Sequence, residues 1–179
     1  MGLFVSGKTR RLQKLHKLCG EMGGRTNTPL VPPKDLPSEA SIKRMLKMCI
    51  DSAVFQAVDA QRFVNMTTNP DAFYERMEFL RQRLTYLADI ERVDKKVIAG
   101  HPIQQLAQLD KDAPKIEADM WERFYVHCLA KAEARKTNAS KSKAINSYFE
   151  AAEKYAPRLG KRAAAVIERN RSRAPKFVD

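Results

Sequence analysis

No apolar run of 18 or more residues occurs in this sequence, so no segment of it can form a bilayer-spanning helix. No stretch of five residues alternates apolar with polar, which argues against half-buried strands and hence against a sheet. Glycine and proline are scarce, seven and nine among 179 residues, and they gather in a few places. What lies between is rich in Ala, Leu, Lys, Arg, Glu and Gln, all good helix formers. The three cysteines, Cys19, Cys49 and Cys128, are odd in number, far apart and without a CxxC spacing. No secretory signal is visible: Leu3-Phe4-Val5 is too short for an apolar core, and the basic residues after it offer no small-residue cleavage site. The expectation is a cytoplasmic protein whose thiols are reduced and packed as small apolar groups. The sequons at Asn65 and Asn138 then carry no glycan.

Charge is what the sequence does have. Its formal net charge is +12. Residues 1–50 hold ten Lys/Arg and three Asp/Glu, residues 51–130 ten and thirteen, and residues 131–179 thirteen and five. A near-neutral middle between two basic ends points to an anionic partner such as nucleic acid or a membrane surface. The competing explanation is a set of idle, solvated lysines.

Periodicity places the elements. A first helix is expected from about Leu3 to Met22, with Leu12, Leu15, Leu18, Cys19 and Met22 on one face and Gly23-Gly24 as its stop. Residues 25–37, with four prolines, read as an extended linker. A second helix starts near Asp35 or Ser38 and runs to Met66, with an apolar face from Ile42 to Val64 wide enough to meet two neighbours. Asn69-Pro70-Asp71 is the clearest start signal: a cap, a proline at the first helical position and an acid at the positive helix end. The third helix carries Phe73, Met77, Leu80, Leu84, Leu87, Ile90 and Val97 and is expected to end near Gly100. A short amphipathic piece, Ile103 to Leu109, precedes a fourth helix from Pro114 to about Lys136. Its bulk is Ile116, Met120, Trp121, Phe124, Tyr125, Cys128 and Leu129. Ser140 can cap a fifth, carrying Ile145, Tyr148, Phe149, Ala152 and Tyr155. A last short helix contains Ala163, Val166 and Ile167.

Catalytic motifs fail on inspection. Gly2 to Thr9 matches the P-loop pattern GxxxxGK[ST], but no strand precedes it and no later strand supplies a magnesium ligand. Gly2 with Ser6 also fits a myristoylation signal. His16 with Cys19 and His127 with Cys128 have the residue types of a zinc site, yet adjacent helical residues point about 100° apart, which makes joint ligation awkward. Most carboxylates of the third and fourth helices have a Lys or Arg three or four residues away, the pattern of a solvated face. No GxSxG and no Cys-His nucleophile pattern occurs.

The segment Asn65-Met66-Thr67-Thr68-Asn69-Pro70-Asp71-Ala72-Phe73-Tyr74-Glu75-Arg76 is followed by Leu80, Leu84 and Leu87-Ala88-Asp89-Ile90-Glu91. It resembles a family of small helical bacterial proteins marked by a T-x-N-P-D-x-F-F-x-R turn and a long helix. An aromatic-rich helix (Trp121 to Tyr125) and one with Ile145, Tyr148 and Phe149 extend the likeness over roughly residues 45–165. Tyr74 stands where the pattern has its second Phe. The resemblance implies no activity. It implies a structural turn, with Phe73 and Tyr74 packing it against neighbours.

The fold expected is all-α, an antiparallel bundle of four to five helices over residues 38–169. It carries a basic helical arm (1–24) on the proline-rich linker (25–37) and a frayed basic tail (170–179). The function expected is a non-enzymatic interaction module with basic ends that contact an acidic partner such as nucleic acid. The candidate polyanion-binding residues are Lys8, Arg10, Arg11, Lys14, Lys17, Lys161, Arg162, Arg169, Arg171 and Arg173. No cofactor is expected. With Phe4 its only aromatic residue, the arm favours phosphate contacts over base stacking. The alternatives are a peripheral membrane protein anchored by its first helix, an enzyme without a recognisable motif, and a module for a protein partner.

Overall fold

The computed structural model describes residues 5–22, 28–101 and 108–177. Among these residues it has seven α-helices and no strand. They are α1 (Gly7–Glu21), α2 (Glu39–Met66), α3 (Pro70–Val93), α4 (Lys95–Ile98), α5 (Leu109–Glu133), α6 (Asn138–Tyr155) and α7 (Lys161–Arg173). The protein is all-α, as the 3.6-residue spacing of its apolar positions requires. The chain forms two compact units, one from Met1–Asp59 with Phe79–Ala107, the other from Ala60–Glu78 with Gln108–Asp179.

In the first unit, α1 begins at Ser6, whose Oγ accepts from Thr9 N at 3.1 Å. Gly7, Lys8 and Thr9, the end of the P-loop-like string, are therefore the first turn of a capped helix, while Gly2 to Phe4 lie outside the described residues. Leu12, Leu15 and Leu18 are buried, as are Ile42, Leu46, Ile50, Ala53 and Ala57 of α2 and Leu80, Leu87 and Ile90 of α3. The last carbonyls of a helix lack internal partners, and α1 has no basic residue in its last turn to serve them. Side chains from elsewhere in the unit do so. Tyr86 Oη donates to Leu18 O at 3.0 Å, Arg83 Nη1 to Met22 O at 2.8 Å, and Cys49 Sγ to Cys19 O at 3.8 Å. The Gly23-Gly24 stop lies outside the described residues. The linker is fastened, because Gln13 Nε2 donates to Val31 O at 2.8 Å, and Pro33–Asp35 is a 3-10 turn.

Helix α2 starts on the Ser38 cap, which accepts from Ser41 N at 3.2 Å, and runs unbroken to Met66. Helix α3 stops short of the expected Gly100. Asp94 has extended backbone (φ −156°, ψ 96°), and its Oδ1 accepts from Lys96 N at 3.1 Å, opening the short α4. A short carboxylate that can serve the amides of a new turn competes with continuing the old one. Gly100 follows at φ +92°, where L side chains are strained.

In the second unit, α5 starts at Leu109 rather than Pro114. Pro114 removes one helical hydrogen bond near the start, and burial of Leu109 and Ala113 offsets that loss. The piece expected from Ile103 falls outside the described residues except for its end. Thr137, not Ser140, caps α6: its Oγ1 accepts from Ser140 N at 3.3 Å. Helix α6 runs back along α5 and brings Tyr148 edge-on to Trp121 (5.7 Å) and to Tyr125 (5.1 Å). The tail expected to fray from residue 170 is helical through Arg173. Asn170 is buried and donates to Tyr148 Oη at 2.9 Å.

The Asn-Pro-Asp start holds as read: Asn69 Oδ1 accepts from Ala72 N at 3.2 Å, and Phe73 is 1% exposed. Asn69→Ala should cost about 1 kcal/mol in urea unfolding, and Phe73→Ala about 3–5 kcal/mol. A Phe73→Ala loss below about 1 kcal/mol would remove that ring from the core.

Candidate functional site

The sequence singled out ten cations, and six of them are held within the protein. Lys8 pairs with Glu39 at 2.7 Å, Arg11 with Asp94 at 3.7 Å and Lys17 with Glu21 at 3.3 Å. Glu39 also takes Lys43, and hydrogen bonds from Lys43 and then Lys8 hold its carboxyl down at about 2. Arg169 and Arg173 both grip Glu122, the former at 2.9 Å. Arg171 lies 3.7 Å from Glu168 and over the Phe149 ring, as Arg173 lies over Tyr125. Arg10 and Lys14 on α1, and Lys161 and Arg162 in the first turn of α7, are exposed and form no ion pair among the described residues.

A denser group of free cations was missed. Lys131, Arg135, Lys136, Lys141 and Lys143 surround the turn from α5 to α6, with Glu133 the only acid between them. None forms an ion pair among the described residues. All are exposed except Lys141, which is half-buried over the Phe177 ring at 5.7 Å. A local signal existed: Lys131, Arg135, Lys141 and Lys143 have no carboxylate three or four residues away. The same signal misleads at Arg169, whose partner Glu122 is 47 residues distant.

Beside this group lies a hollow of about 400 Å³. One face of α5 lines it with Phe124, His127 and Lys131, at i, i+3 and i+7. Helix α6 adds Ala151, Lys154 and Tyr155, and the Thr68–Asp71 turn closes it. Asp71 is spoken for. Lys154 Nζ donates to its Oδ1 at 2.7 Å and Tyr155 Oη donates to the same oxygen. The Lys154 bond first, and the Tyr155 bond second, hold the Asp71 carboxyl below its usual range. Burial, then Asp71, pushes the Tyr155 phenol up. Lys131 and His127 form no ion pair among the described residues. A second hollow of similar size shares Thr68 and His127. Its charged residues are occupied, Glu122 by the two arginines and Arg123 by Val64 O (3.0 Å) and Thr67 O (3.3 Å).

Among the described residues no three His, Cys, Asp or Glu side chains converge on a metal position, and no helix is long and apolar enough to cross a membrane. Burial pushes the Cys128 thiol up, and burial and then Cys49 push Cys19 up to about 12, so neither is an activated nucleophile. The arrangement offers positive charge, one aromatic wall and polar groups at the turn. Comparisons with protein-family models, curated proteins and solved structures found no match.

Glu122 anchors α7 and sets an acid dependence. Partial burial raises its pKa, but the hydrogen bonds from Arg173 and Arg169 outweigh this and leave it below 4.5. A depressed folded-state pKa stabilises fully above the unfolded value, and that contribution is lost as pH falls through the folded one. The thermal midpoint should fall on acidification below about pH 4.5. Glu122→Gln should lower the midpoint at pH 7 and make the acid dependence shallower. An unchanged acid profile in this variant would show that its charge does not hold α7.

Proposed function

We propose that the protein is a non-enzymatic helical interaction module that holds an acidic partner, nucleic acid, on its basic surface. The observation that supports this reading is the set of cations at the α5–α6 turn that form no ion pair among the described residues. Like charges crowded at one turn repel, whereas a phosphate backbone supplies compensating charges and releases its counterions on binding. Each unit also carries further exposed cations without an ion pair among the described residues, Arg10 and Lys14 in the first and Lys161 and Arg162 in the second. A cytoplasmic location goes with this reading, and the likeness to the family of small bacterial helical proteins adds no activity to it. The membrane-anchor alternative is weaker, because it needs Leu12, Leu15 and Leu18 for lipid and these are buried in the first unit.

Anisotropy titration of a labelled oligonucleotide at two salt concentrations tests the reading. With about four phosphate contacts, doubling the salt should weaken binding roughly tenfold. A variant with Arg135, Lys136, Lys141 and Lys143 all changed to Gln should lose most of the affinity and most of the salt dependence, with its thermal midpoint near the parent's. Absence of binding at low salt would leave a protein partner as the default.

A further inference from the structure

The free cations and the hollow beside them meet at one residue, Lys131, which lines the hollow and begins the basic run. Arg135 follows just past the C-terminal end of α5, in the turn to α6. A phosphate chain that follows Arg135 and Lys131 is led to the mouth of a cavity of about 400 Å³, inside the range of small-ligand sites, ~300–1,000 Å³. Three of its lining side chains are already engaged. Asp71 is bound by Lys154 and Tyr155, and the Tyr155 ring stacks on Tyr74 at 4.5 Å with Lys154 5.2 Å from its centroid. Phe124 is the aromatic wall that remains, half-buried and backed by Trp121 (6.0 Å) and Tyr148 (5.5 Å). Thr68 brings a hydroxyl to the same space, and Asn69, whose Oδ1 caps α3, brings its amide nitrogen. A cationic approach that ends at an aromatic wall with polar groups is how single strands are held, backbone on charge and base on ring. A duplex keeps its bases stacked and cannot deliver one here without unpairing it.

Resting on the polyanion reading, we infer that this hollow seats one unstacked base of a single-stranded nucleic acid, against Phe124, with an adjacent phosphate on Lys131. The test compares the full-length protein with Phe124→Leu, Phe124→Tyr and Lys131→Gln. The probes are labelled oligo(dT), oligo(U) and a duplex of equal phosphate count, each at two salt concentrations. Base–aromatic stacking predicts that Phe124→Leu weakens the single strands by about five- to a hundredfold and leaves the duplex unchanged, with Phe124→Tyr close to the parent. Lys131→Gln should weaken all three and lower the salt slope by about one. A second readout is Trp121, the only tryptophan, whose fluorescence should respond to the single strands and not to the duplex. Equal affinity for strands and duplex, or a Phe124→Leu variant that binds strands as the parent does, overturns the inference and leaves the polyanion reading standing. If none of the three probes binds at low salt, both fall. Should Phe124→Leu unfold, the Trp121 response of the parent protein decides.

Discussion

The second unit hangs on one carboxylate. Glu117 of α5 accepts from Tyr74 Oη at 2.7 Å through one oxygen and from Gly160 N at 3.1 Å through the other, and Tyr74 Oη accepts in turn from Trp121 Nε1 at 3.2 Å. Hydrogen bonds to an ionised group contribute roughly 1.5–3 kcal/mol each, and loss of the acceptor strands the donors. Here that means a half-buried phenol and the backbone amide that precedes α7. The approach at Gly160 is so close that a Cβ there would lie 2.6 Å from Glu117 Oε2, so a larger residue would push the carboxylate away from the amide it accepts from. Burial, then Glu117, pushes the Tyr74 phenol well above its usual range, so Tyr74 remains a donor. Its ring supports Tyr155, Tyr155 helps hold Asp71, and Asp71 fixes Lys154. The floor of the hollow therefore depends on a residue that does not line it.

A sorting of charge runs through both units. Arginines and lysines that face a carboxylate are structural: Arg11 ties α1 to the residue that opens α4, and Arg169 and Arg173 bind α7 to α5. Those left over are not spread evenly, and five of them fall around one turn. Net charge alone does not distinguish the two kinds, because each counts as +1. Only the position of the acids in space does so.

That distinction explains what was legible in the sequence. The apolar faces of α2 and α3 were readable because burial repeats with the helical period, and Asn69-Pro70-Asp71 was readable because a cap acts within three residues. Asp94 was overlooked because its carboxylate sits in a run that is otherwise good helix. Leu109 reads as the end of a separate short piece rather than the start of α5 because Pro114 signals a start more strongly than it acts as one. The hollow was out of reach. Phe124 and Lys131 share a helix face, but their meeting with Lys154 and the Thr68–Asp71 turn is a matter of packing between helices. Within the basic cluster of the C-terminal helix, Arg169 and Arg173 serve as anchors that local spacing could not reveal, since Glu122 is remote in sequence, whereas Lys161 and Arg162 stay exposed.

The carbonyls at the end of α1 have a consequence for how the chain is made. Leu18 and Met22 find their donors in Tyr86 and Arg83, 68 and 61 residues later. A 15-residue helix is marginal on its own in water. During synthesis at about 5–20 residues per second, α1 therefore waits some 3–14 s before the side chains that close its end have been added. In that interval Leu12, Leu15 and Leu18 have only the part of their core that α2 and the start of α3 supply, and Arg11 lacks Asp94.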